Sequence, residues 1–185
     1  MASGAASATN PPAISFHSED VARILRERCW WVPDDGAEAP AAMQAWFTRA
    51  AELLGPHAAD RAAMENLLAL VFQYDAGEIL REAANQAVLV REGAREVIRE
   101  LANRVLTGAE IDSDRLKEIV DSMKAALAYR SRDMFHPIRL ALAGGAGGGE
   151  LDRVILLLDS AARLPFAAPV KGTRQRMLEF CAAVD

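Results

Sequence analysis

The sequence predicts an all-α protein, a helical bundle of about eight helices. Two patterns carry this reading, and a third feature is conspicuous by its absence. Apolar residues recur at three- and four-residue spacing, as in Val97, Ile98, Leu101, Val105 and Leu106, or Leu116, Ile119, Val120, Met123 and Leu127. These segments begin at Ser, Asp or Pro and stop at Gly or Pro, the usual helix punctuation. No alternating run of β-branched residues lies between turn signals, so nothing reads as a strand. With 51% apolar residues in 185, the chain can bury a real core.

Ser18 is the expected cap of a first helix, with Glu19 and Asp20 in its first turn and Val21, Ile24 and Leu25 facing inward. It ends near Trp30, Trp31, Val32 and Pro33, and the acidic stretch DDGAEAP follows. Pro40 opens a second helix carrying Met43, Trp46, Phe47, Ala50, Leu53 and Leu54, which Gly55 and Pro56 stop. A third runs from 60 to about 74, and Asp75, Ala76 and Gly77 form a short break. The pattern is helical again from 78 to about 89 and from 92 to 106, with Gly93 as a kink or boundary. Along the latter, Glu96 with Arg99 and Glu100 with Arg104 have the spacing of solvated surface pairs. Asp112 or Ser113 caps a helix to about 129. Another helix runs from 150 to 164, residues 165–169 read as a linker, and a last helix over 174–184 packs Met177, Leu178 and Phe180. The expected organisation is a flexible tail at 1–13, a helical segment of unassigned type at 14–66, the main bundle at 67–164, and a linker with the C-terminal helix at 165–185.

Several function classes find no support. No apolar run reaches the length of a membrane span, and the N-terminus lacks the basic and apolar regions of a secretory signal. Cys29 and Cys181 stand alone and read as reduced thiols, which with the missing signal points to the cytoplasm. His17, His57 and His136 are scattered without metal-ligand spacing, so no metal and no cofactor is expected. Net charge is −5, but it is uneven. Residues 1–114 hold 10 basic and 18 acidic side chains, whereas 115–185 hold 11 and 8. A phosphate-facing surface therefore belongs in the C-terminal part.

The stretch RDMFHPIRLALAGGAGGGEL, from Arg132 to Leu151, stands out. Pro137 reads as the opening of a short helix, since proline suits a first helical turn. Gly144 reads as its left-handed stop. Five glycines in the six residues 144–149 allow a tight turn and leave backbone amides open to a partner. A phosphate-binding loop is the other reading of these glycines, but no lysine follows them and no strand precedes them.

Residues Arg132, Met134, Phe135, Pro137, Ile138, Arg139, Ala141, Leu142, Gly144, Gly148 and Leu151 follow, in order and without gaps, the pattern (K/R)-x-L-F-x-P-L-R-x-A-L-T-G-x-x-x-G-P-x-L. The stretch thereby resembles the C-terminal anticodon-binding domain of bacterial glutamyl-tRNA synthetases, with Ala143 and Gly149 replacing the threonine and proline. The ATP-binding signatures of the synthetase catalytic domain are missing. The resemblance implies a non-catalytic tRNA-binding module, not an enzyme. Its partners would be tRNA, tRNA-Glu among them, and a synthetase catalytic subunit supplied in trans, with no membrane and no DNA. The alternative is a helical protein-interaction module that keeps the fold without RNA contact.

The candidate RNA-binding residues are Arg130, Arg132, Phe135, Arg139, Gly148 and Leu151, with a second group of Lys171, Arg174 and Arg176. Arginine pairs with phosphates, and a ring such as Phe135 stacks on an unpaired base. Arg139 has a structural reading too, as a cap on carbonyls or a partner of an internal carboxylate.

Overall fold

The computed structural model describes residues 15–33 and 38–184. The expected tail at 1–13 and residues 34–37 of the acidic stretch lie outside the described residues. The described residues form ten α-helices and no strand, so the all-α expectation holds. In order these are α1 (Ser18–Glu27), α2 (Ala41–Leu54), α3 (Arg61–Phe72), α4 (Ala76–Arg81), α5 (Ala83–Leu89), α6 (Ala94–Thr107), α7 (Ser113–Ala126), α8 (Ser131–Ala143), α9 (Glu150–Ala162) and α10 (Thr173–Val184). A 3-10 turn, Gly55–His57, follows α2. None of these helices is long and apolar enough to cross a membrane.

Short polar side chains set several helix starts. Asp60, Asp75 and Asp112 accept hydrogen bonds from the amides of Ala63 (2.8 Å), Glu78 (2.9 Å) and Arg115 (2.8 Å), which otherwise have no intrahelical partner. At α1 the cap is His17 rather than Ser18, and the Asp20 carboxylate accepts from the His17 amide at 3.1 Å. The expected continuous helix over 78–89 is broken at Glu82, whose backbone is extended. The break is held by the residues just after it. The Asn85 amide donates to the Ile79 carbonyl at 2.9 Å, and Gln86 donates to that of Leu80, satisfying the end of α4. The break expected at 75–77 also moves, because Asp75 caps α4 and Ala76 and Gly77 lie within it.

Aromatic rings join the first three helices to the segment after α9. Cys29 takes a left-handed conformation, and the amides of Trp30 and Trp31 both return to the Leu25 carbonyl. That reversal turns both indoles inward. Trp30 stacks on Phe72 with centroids 4.9 Å apart, and Phe166 meets Trp46 and Phe72 edge-on at 5.1 and 5.0 Å. The Trp46 indole N–H, which needs a partner once buried, donates to the Leu157 carbonyl at 3.3 Å. Residues 165–169, read as a linker from their prolines, thus place Phe166 in the core, and Ala167 donates to the Trp30 carbonyl at 2.9 Å. α2 and α3 pack on α9, α6 packs on α8 and α10, and α8 packs on α9. Leu178, expected to pack, is instead 55% exposed.

Candidate nucleic-acid interface

The signature stretch folds as helix, glycine loop and helix, and it does so differently from the sequence expectation at one end. Pro137 does not open α8 but sits inside it, six residues after the start at Ser131. Its ring removes one intrahelical hydrogen bond, the one otherwise made to the Asp133 carbonyl. The other end is as expected. Gly144 is left-handed (φ 84°, ψ 12°) and its amide bonds to the Leu140 carbonyl at 3.1 Å.

Arg139 holds the loop to α9. It makes a two-pronged pair with Asp152, Nε to Oδ1 at 2.8 Å and Nη2 to Oδ2 at 2.7 Å, while Nη1 donates to the Gly147 carbonyl at 3.0 Å. The hydrogen bond to Asp152 is the main reason its basicity is raised above the ordinary arginine value. This geometry matches the structural reading of Arg139, with three of its five N–H donors used internally. The loop amides are not all open either. The Gly148 N–H donates to the Glu150 carboxylate at 2.7 Å, and Leu151 is buried beneath the loop. Phe135 is half-buried, with the Arg139 guanidinium 5.0 Å and the Lys124 ammonium 5.8 Å from its ring centroid. A base has to displace one of these cations before it stacks there.

The second basic group separates. Arg176, offered as a phosphate contact, is fully buried and donates to four backbone carbonyls. Phosphate cannot reach it in this fold. Its side chain lies on the inward stripe of α10 with Thr173, Met177 and Phe180. Lys171 pairs with Glu179 at 2.7 Å and donates to the Tyr74 carbonyl at 2.8 Å. Arg174 is exposed, with a long contact of 3.4 Å to the Gly108 carbonyl.

Exposed, uncommitted positive charge collects instead at the amino end of α8. Arg130 is the residue before the helix and Arg132 lies in its first turn, both exposed. Across from them Arg91, in the turn between α5 and α6, reaches His136 with Nη1 3.0 Å from Nδ1. Arginine has only donors, so His136 accepts at Nδ1 and a neutral ring carries its proton on Nε2. Partial burial, then the charges of Arg91, Arg132 and Arg139, push the His136 pKa below its ordinary value. The ring is neutral at pH 7, and three arginines bear on one point, with Asp133 the acidic side chain that opposes them there. Arg91, Arg130 and Arg132 form no ion pair among the described residues. Sequence reasoning missed Arg91, which lies in the acidic part of the chain and is brought to α8 only by the packing of α5 on it.

Residues 20–164 match the anticodon binding domain family. No curated protein and no solved structure matches the chain. The matched span begins inside α1, takes in α2 and α3 as well as the signature stretch, and stops before α10. It covers well over half of the 185 residues, and the chain belongs to the anticodon binding domain family.

Proposed function

We propose that the chain is a non-catalytic tRNA-binding module related to the anticodon-binding domain of glutamyl-tRNA synthetase. It grips an RNA loop on the face made by the first turns of α8 and the turn between α5 and α6. The observation that supports this reading best is the placement of Arg130 and Arg132 at the amino end of α8 with Arg91 beside them, none of the three in an ion pair among the described residues. Against these guanidinium groups stands one acidic side chain in the first turn of α8, Asp133. Phosphates of a loop backbone supply the missing counter-charge. The partners this reading names are tRNA-Glu and a synthetase catalytic subunit acting in trans.

The test is a titration of the protein against total tRNA and tRNA-Glu at two salt concentrations. Binding is expected to weaken steeply with salt, because neutralised phosphates release counterions. Arg132→Ala is expected to lower affinity severalfold and to reduce the slope of log affinity against log salt by about 1. Arg174→Ala, a change at an exposed arginine that lies against Gly108 rather than α8, is expected to leave both nearly unchanged. Preference for tRNA-Glu supports anticodon discrimination, and no binding at low salt refutes the reading.

One observation favours the protein-interaction alternative. Leu178 is exposed at a groove of about 530 Å³ that also involves Val105, Ala109 and Ala162. A partner captured there in a salt-insensitive manner, without tRNA binding, supports that alternative.

A further inference from the structure

We infer that the cavity beside this face receives one unstacked nucleotide of the bound RNA, with the Tyr129 ring as its stacking wall and Arg91, Arg95 and Arg99 as its phosphate contacts. This rests on the RNA-binding reading above. The cavity measures about 790 Å³, within the roughly 300–1,000 Å³ of ligand pockets. Three features fit it to a nucleotide.

The first is the wall. Tyr129 lies just before α8, half-buried, and lines the cavity. Its ring rests against Gly93, where an added Cβ would collide with it. Gly93 is left-handed at φ 79°, so the same glycine both turns the chain into α6 and makes room for the ring. The Tyr129 hydroxyl donates to Glu96 at 2.5 Å, which fixes the ring's direction. That bond, before any other influence, raises the Tyr129 pKa, so the ring is a neutral phenol at physiological pH.

The second is charge. Arg95 and Arg99 lie four residues apart and so on one side of α6. Both are exposed, both line the cavity, and neither pairs with a carboxylate among the described residues. Glu96, the carboxylate between them, is engaged by Tyr129. Arg91 belongs both to this cavity and to the cluster around His136. A strand crossing the α8 face can therefore lead its backbone past Arg132 and Arg91 while one base turns into the cavity. The third is an apolar border, where Leu80 and the 80% exposed Val90 line the same cavity. An aromatic ring, an apolar edge and several guanidinium groups are the elements by which proteins hold an unpaired base and its phosphate.

The experiment uses the full chain, with tRNA titrations of Tyr129→Leu, Tyr129→Phe and the double variant Arg95→Ala/Arg99→Ala. Thermal unfolding of each variant confirms the fold. Alongside, the four nucleoside 5′-monophosphates and, at matched ionic strength, inorganic phosphate are added while the Tyr129 ring resonances are followed by NMR. Tyr129→Leu is expected to bind tRNA roughly tenfold more weakly, the loss of one base stack. Tyr129→Phe keeps the ring and is expected to stay near the parent. The nucleotides, but not inorganic phosphate, are expected to move the Tyr129 resonances. If tRNA binds normally to Tyr129→Leu and to the double arginine variant, the cavity assignment is overturned while the RNA reading stands. If the unsubstituted protein binds no tRNA, the RNA reading fails and the cavity assignment with it.

Discussion

Replacing Arg176 with methionine is expected to destabilise the fold by about 3–5 kcal/mol, because buried acceptors left without donors cost about 1–3 kcal/mol each. The melting temperature is expected to fall by about 10 °C, given roughly 2–4 °C per kcal/mol at this chain length. Methionine keeps most of the volume and none of the donors. Arg176 is fully buried, and its guanidinium donates to the carbonyls of Lys171 (2.8 Å), Leu142 (2.8 Å), Leu70 (3.0 Å) and Val71 (2.6 Å). Leu70 and Val71 lie in the last turn of α3, and Leu142 lies in the last turn of α8. These carbonyls are among those a helix end cannot satisfy internally. One side chain of α10 therefore completes two earlier helices, and their negative ends together hold a cation that forms no ion pair with a carboxylate among the described residues. The Tyr74 ring, 4.5 Å from the guanidinium, closes the other side. Burial draws the Arg176 pKa down to about 10, which leaves the group charged at neutral pH. Thermal unfolding followed by circular dichroism decides the matter, and a shift of only a degree or two contradicts this account.

Asp159→Ala is expected to be the second most damaging change, at about 2–4 kcal/mol, from stranding several buried donors at once. Its carboxylate, almost fully buried, accepts from the Ile111 amide at 2.7 Å, the Thr173 amide at 2.7 Å and the Thr173 hydroxyl at 2.8 Å. It thus ties α9 to the loop between α6 and α7 and to the first residue of α10. Asp159→Asn keeps the shape but turns one acceptor into a donor, so it is expected to cost less than alanine and more than nothing. The check is the denaturant midpoint of both variants. Equal midpoints for alanine and the parent refute the role.

The helices and their stops were legible from the sequence wherever one side chain decides the local conformation. Asp112, one of the two caps offered for α7, is the one used, and Gly144 ends α8 in the left-handed form. Pro137 misled because proline is commonest in a first turn, whereas here α8 accepts it six residues in and gives up one hydrogen bond. The break at Glu82 depends on Asn85 and Gln86 folding back onto carbonyls, a pairing that apolar periodicity does not report. The basic residues were the least legible. Arg174 and Arg176 look alike in the sequence, yet one faces solvent and the other is sealed in. A usable signal existed, because Arg176 falls on the stripe that Met177 and Phe180 already marked as buried. Arg91 carried no such signal, since only tertiary packing sets it beside His136.

The position of Arg130 and Arg132 has one more consequence. A helix is positive at its amino end, and each cation placed there works against it by about 0.3–1 kcal/mol. α8 carries two arginines at that end and a single acidic residue, Asp133, in its first turn. The empty fold is electrostatically frustrated there. Under the proposed contact, a phosphate resting on these side chains relieves the conflict, so occupancy and folding become linked equilibria. The residues that suit this chain for endurance and those that suit it for capture are then not the same, and selection for one trades against the other.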